Sequence, residues 1–144
     1  MDKGFFEDIS VLHQFIRNFH KSCNPVEMKV DLNRTQAHVL MAVAKNNVNT
    51  MTKISEEVGL EKGSFTTVVD SLIQKGYLER IRSEEDRRKI SLVLTTEGRE
   101  VATMMQQHMG NQAGKMFHTT NKEDLEAIKQ AVHVLAEFAR KVEG

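Results

Sequence analysis

The side chains with most chemistry to offer sit in one short run, Ser83-Glu84-Glu85-Asp86-Arg87-Arg88-Lys89, where three acids precede three bases without an apolar residue. Guanidinium and ammonium groups at that density can pair with phosphate or enter a nucleic-acid groove, and a neighbouring carboxylate can aim a guanidinium. The same charges can also do no more than solvate a turn, and composition leaves both readings open. Other reactive residues are scattered. His13, His20, His38, His108, His118 and His133 match no metal-ligand spacing, so packing or surface roles are expected, although histidines on different helices can meet in a fold. Cys23 is the single cysteine; with no partner near it in sequence it reads as an ordinary thiol, excludes an intramolecular disulfide and suits a reducing cytoplasm. There is no glycine-rich phosphate loop, nucleophile elbow or metal-ligand motif, so neither an enzyme nor a resident cofactor is expected.

The flanks of the run predict a hairpin. Tyr77, Leu78 and Ile81 precede the tip, and Ile90, Leu92 and Leu94 alternate after it with Ser91, Val93 and Thr95, the period-two signature of a half-buried strand. Upstream, Phe65, Val68, Val69, Leu72 and Ile73 form the apolar stripe of a helix over 61–75, whose other face carries Lys62, Ser64, Thr66, Thr67, Ser71 and Gln74 beside Asp70. A shorter helix, 51–58, is opened by Thr50 and closed by Gly59; before it, Asn33-x-x-Gln36 reads as a capping box with Leu32 as its staple. Short helix, glycine turn, amphipathic helix, hairpin is the order of a winged helix-turn-helix. In that arrangement the first helix braces the second, whose free face can enter a major groove, while the hairpin reaches flanking backbone or minor groove.

The ends of the chain have a different pattern. Phe5, Ile9, Leu12, Ile16 and Phe19 recur at steps of four and three along a helix that should stop before Pro25, and Phe6 and Phe15 widen its apolar face. Leu125, Ile128, Val132, Leu135, Ala139 and Val142 make a similar seam near the C-terminus. Between hairpin and final helix, Thr95 or Thr96 caps a long helix with Val101, Met104, Met105, His108 and Met109 on its apolar side; Gly110 and Gly114 mark a bend or a close helix approach. Two such seams exceed what one small winged domain can cover, which predicts a dimer built from both termini. The 144 residues fit a single domain, and 20 Lys+Arg against 20 Asp+Glu mean that any positive surface is local. No apolar run approaches a membrane span and the N-terminus lacks a signal-peptide pattern, so a soluble cytoplasmic protein is expected.

The runs Gly76-Tyr77-Leu78-Glu79-Arg80, Glu85-Asp86-Arg87-Arg88 and Leu92-Val93-Leu94-Thr95-Thr96-Glu97-Gly98 closely resemble the MarR family of bacterial transcriptional regulators. Leu32-Asn33-x-x-Gln36 and the helix pair within 50–75 fit the same family, so the resemblance covers nearly the whole chain. It implies a mainly α (α+β) fold: a winged core over about 32–98, with dimerisation helices over about 1–24 and 99–144. It further implies a homodimeric repressor that reads a pseudo-palindromic operator in double-stranded DNA and is released by a small aromatic or phenolic ligand.

Carried over residue by residue, the resemblance puts Arg88 in the minor groove, Asp86 as the acid that orients it by an ion pair, and Arg87 and Lys89 on phosphates. Ser83 stands where an acid is frequent, and Thr67 and Ser71 stand where many relatives place arginines. The groove-facing set is then Lys62, Ser64, Thr66, Thr67 and Ser71, whose hydroxyls discriminate bases less than a bidentate arginine would. The ligand region implied lies between the dimer helices and the winged domain and draws on the first, second and fifth helices, with Met104, Met105 and His108 beside Met109 and Met116 in the fifth, although methionines at helical spacing also serve as core or dimer filler. The peroxide-sensing branch, with a reactive cysteine early in the first helix and tyrosine partners, does not fit Cys23 and the lone Tyr77. A winged domain used only for protein association, its wing solvated, is the alternative.

Overall fold

In the computed structural model, which describes residues 1–144, the stripes and caps become α1 (Lys3–Ser22), α2 (Arg34–Lys45), α3 (Met51–Val58), α4 (Lys62–Gln74), β1 (Leu78–Arg82), β2 (Ile90–Leu94), α5 (Thr96–Met116) and α6 (Lys122–Glu143). Every helix but α4 starts where a side chain takes an orphan backbone N–H; at α4 the capping position, Glu61, makes no such bond. Asp2 caps α1 by accepting from Phe5 N at 2.9 Å, so the helix begins before Phe5. At α2 the capping box is complete: Asn33 N donates to Gln36 Oε1 (2.9 Å) and Gln36 N to Asn33 Oδ1 (2.8 Å). Thr50 caps α3, and Gly59, at φ 67°, ends it. Between α1 and α2 lies a 3-10 turn, Pro25–Met28, capped by Asn24, which the apolar periodicity did not announce.

The chain divides into two compact units, Met1–Met109 and Gly110–Gly144, with the boundary inside α5. In the first unit Val39, Leu40 and Val43 of α2, Ile54 of α3, Phe65, Val69 and Leu72 of α4, Leu78 of β1 and Leu92 of β2 share one buried core. Full burial of such a side chain contributes roughly 1.5–3 kcal/mol. The hairpin is antiparallel, with Leu78 opposite Leu94, Arg80 opposite Leu92 and Arg82 opposite Ile90; Ile81, opposite Ser91, points to the other face and is half-exposed. Residue pairs directly opposite one another share a face, so Arg80 stands on the core side of the sheet at its rim. β2 also bridges to the residue before α3: Thr50 pairs with Ser91, and Leu92 N donates to Asn49 O at 2.7 Å. The end of the polar turn, Asn49 and Thr50, thus fastens to the outer edge of β2 through a single isolated bridge.

In the second unit α6 is capped by Asn121, which accepts from Asp124 N at 2.8 Å, and it opens with Glu123 and Asp124 and closes with Arg140 and Lys141, each sign suited to its end of the helix dipole. Gly110 and Gly114 do not interrupt α5. Neither α1 nor α6 has a buried residue.

Candidate nucleic-acid interface

The core-facing stripe of α4 leaves the other side of the helix free. Lys62, Ser64, Thr67 and Gln74 are exposed there, with Thr66 half-buried beside them. Thr66 Oγ1 donates to Lys62 O (2.9 Å) and Thr67 Oγ1 to Gly63 O (3.1 Å), one turn back, which leaves their lone pairs open to an outside donor. Ser71 is placed differently. It is half-buried, its hydroxyl accepts from Gln36 Nε2 at 2.9 Å and donates to Val68 O at 2.6 Å, and it joins α4 to α2 rather than offering a free group. A second tether follows at Lys75, whose ammonium donates to Asp31 O (2.6 Å) and pairs with Asp31 Oδ2 (3.1 Å).

The wing is held to the same helix. Arg80 Nη2 meets Asp70 Oδ1 at 2.5 Å, an ion pair between β1 and α4 that composition alone did not single out. At the tip, Ser83 N donates to Lys89 O (3.1 Å), Lys89 N to Asp86 O (2.9 Å) and Asp86 N to Ser83 Oγ (3.3 Å), so Ser83 supplies the turn's cap. Asp86 Oδ1 accepts from the Arg88 backbone N–H at 3.0 Å. The ion pair expected between the two side chains is therefore not formed; a short carboxylate two residues back reaches the main chain before it reaches the guanidinium. Arg87, Arg88 and Lys89 are left exposed, and the lysine and arginine ion pairs that join distant parts of the chain lie elsewhere, at Lys45–Glu57, Lys75–Asp31 and Arg80–Asp70.

The first unit also holds a predominantly apolar cavity of about 280 Å³ that is open to solvent on one side. One wall is the end of α1 and the turn after it, through His20, Cys23 and Pro25; another is a single face of α2, Arg34, Ala37, His38 and Met41; Met105 and Met109 of α5 complete it. Of the five residues named for the ligand region, Met105 and Met109 line this space. Met104 is 45 % exposed, and His108 lies outside the lining, its Nε2 buried without a hydrogen-bond partner and 4.0 Å from Glu27 Oε2. The α2 wall has the spacing i, i+3, i+4, i+7; the first, second and fifth helices are the three that the resemblance implies for a ligand region, although the lining residues of the first two were not singled out. No group of three or more histidine, cysteine or acidic side chains is arranged to hold a metal ion.

Comparison with known proteins follows the same outline. The MarR family model matches residues 32–90. SarZ, an HTH-type transcriptional regulator of Staphylococcus aureus strain MRSA252, is 30% identical over 111 residues, 77% of this chain and 72% of SarZ. The organic hydroperoxide resistance transcriptional regulator of Bacillus subtilis strain 168 is 27% identical over 129 residues, 88% of this chain and 85% of that one. Among solved structures, apo MarR of E. coli superposes with a TM-score of 0.76 at 18% identity, covering 94% of this chain and 97% of that one. FabT of Streptococcus pneumoniae in complex with DNA superposes with a TM-score of 0.73 at 23% identity, covering 96% and 99%. Sequence relatives and winged-helix architecture agree: this chain belongs to the MarR family.

Proposed function

We propose that the protein is a sequence-specific DNA-binding regulator of transcription: a cytoplasmic homodimer that represses from a pseudo-palindromic operator and leaves it when a small aromatic or phenolic ligand binds. The observation that carries the DNA reading is the pairing of two uncommitted surfaces on one rigid core. The free face of α4 presents Lys62, Ser64 and Thr67, and the wing beside it ends in Arg87, Arg88 and Lys89, exposed and unpaired with the acids of the tip. A merely solvated turn would gain by pairing its own acids and bases; here the Asp86 carboxylate folds the tip through the backbone and leaves the cations outward. α4 then supplies modest base readout through hydroxyls, and the wing supplies phosphate and minor-groove contacts.

The exposed apolar seams of α1 and α6 support the homodimer, and a symmetric pair of winged units suits a two-fold operator. The cavity supports the ligand: its volume suits a single-ring molecule, Met41, Met105 and Met109 give it a soft apolar body, and Arg34, His20 and His38 give it groups suited to a phenolate or carboxylate. No helix is long and apolar enough to cross a membrane.

Titrating the protein against fluorescent duplexes from the neighbouring promoter at increasing salt tests the central reading. Tight binding that weakens steeply with salt, through counterion release, is expected. Absent or salt-independent binding overturns it in favour of a protein-association module.

A further inference from the structure

α2 has two faces with different neighbours at its N-terminal end. Arg34, Ala37, His38 and Met41 form a wall of the cavity, while Gln36, in the same first turn, points the other way and is 8% exposed. Gln36 does two things at once. Its Oε1 closes the capping box on Asn33 N, and its Nε2 donates to Ser71 Oγ on α4 at 2.9 Å. The apolar contacts between α2 and α4, through Val39, Leu40, Val69 and Leu72, are non-directional and tolerate a small slide. A nearly buried hydrogen bond does not tolerate it, because breaking the bond leaves a buried donor unsatisfied. The neighbouring tether, Lys75 to Asp31, holds the end of α4 to the segment leading into α2.

We infer that Gln36 is a positioning residue for α4, and that its bond to Ser71 is the link through which filling the cavity displaces the recognition helix. In a close-packed unit, an occupant that pushes the Arg34–Met41 face moves the first turns of α2 as a body, and α4 is tied to that turn by a directional bond. Occupation and DNA affinity are thereby coupled through one named pair. This rests on the DNA-binding reading above.

The test loads the cavity without needing the natural ligand. Cys23 lines the cavity and is the only thiol, so benzyl methanethiosulfonate attaches one benzyl group there in the full-length chain, with methyl methanethiosulfonate as the small control. Met109→Trp fills the same space genetically from the α5 side. In the wild type, benzylation and Met109→Trp each weaken duplex binding by about tenfold or more, within the usual range for coupled sites, and both speed amide hydrogen exchange over 62–74. In Ser71→Ala, which keeps the Gln36 cap, each is expected to have less than about a third of that effect, the mark of a broken coupling.

Equal weakening in wild type and Ser71→Ala overturns the inference, as does an unchanged wild type. If the unmodified wild type binds no duplex, the DNA reading fails instead; hydrogen exchange over 62–74, which requires no DNA, then still decides whether cavity and helix are linked.

Discussion

A Cβ placed on Gly98 would stand 2.0 Å from the carbonyl oxygen of Tyr77 and 2.9 Å from its carbon. The first turn of α5 and the start of the wing touch there through backbone, with no side chain between. Thr95 completes the junction: its hydroxyl donates to Gly76 O (2.6 Å) and accepts from Gly98 N (2.9 Å), while Thr95 N donates to Tyr77 O (3.1 Å). The Thr-x-x-Gly signature is thus a cap and a close approach in one motif, and it fixes where the wing leaves α4.

Gly98→Ala should therefore destabilise the fold strongly. Overpacking usually costs about 1–3 kcal/mol, and a clash with backbone oxygen belongs at the upper end. Urea unfolding should show a lowered midpoint; Thr95→Ala, which removes the cap alone, should cost about 1 kcal/mol. A wild-type midpoint for Gly98→Ala would mean that the α5–wing junction opens freely.

Arg88→Ala should weaken operator binding by about 1–3 kcal/mol while leaving oligomeric state unchanged. At Asp86 two accounts give different results. If the carboxylate aimed the Arg88 guanidinium by charge, Asp86→Asn would lose as much as Asp86→Ala. With Asp86 Oδ1 on the Arg88 backbone N–H, Asn keeps the acceptor and should bind nearly as wild type, whereas Ala unfolds the turn and weakens binding. Anisotropy titrations of the two variants on one duplex separate them.

The fold was legible because its signals are local. The capping box at Asn33 and Gln36, the stripe from Phe65 to Ile73 and the alternation after Ile90 each follow from one element's own period, and each element formed with those residues placed as the pattern demands. What escaped lies between elements. Ser71 reads as one more hydroxyl on a polar helix face, and only the packing of α2 on α4 brings Gln36 to it. Asp70 and Arg80 are ten residues apart across a glycine turn, a separation no helical or strand period connects. The cavity needs three segments to meet; the resemblance implies the first, second and fifth helices there and the sequence pointed to Met105 and Met109, but no period within one element picks out Arg34 or His38 as lining.

Glu57 makes stability pH-dependent. Burial pushes its carboxyl up, but the hydrogen bond and charge of Lys45, helped by Asn46 and Lys53, outweigh this and hold it below its ordinary 4.5. Lys45 Nζ lies 2.5 Å from Glu57 Oε1 and Asn46 Nδ2 2.7 Å from Oε2, so the group clamps the end of α2 to α3. A depressed folded-state value means that the stabilisation is complete above the unfolded value and is lost as pH falls through the folded one. Glu57→Gln should thus cost up to about 1 kcal/mol at neutral pH, since Lys45 is largely solvated. The gap between variant and wild type should close as the pH is lowered below 4.5. A gap that widens on acidification would show the sign to be wrong.

The seams give the last prediction. Ile9, Leu12 and Ile16 on α1, and Val132, Leu135 and Phe138 on α6, are all exposed, although their spacing is that of helices packed against apolar partners. In a two-fold dimer each substitution occurs twice, so one buried leucine replaced by glutamate loses its apolar contribution on both sides and adds two charges to the interface. Leu12→Glu and Leu135→Glu should each raise the dimer dissociation constant by about a hundredfold or more. Sedimentation at micromolar concentration should then find a dimer for the wild type and monomer for the variants. The winged core, whose buried residues lie within 32–105, should keep its circular dichroism, and binding should persist on a half-site while the advantage of the full palindrome disappears. If both variants remain dimeric, the two copies meet through some other surface, and the seams need a different partner.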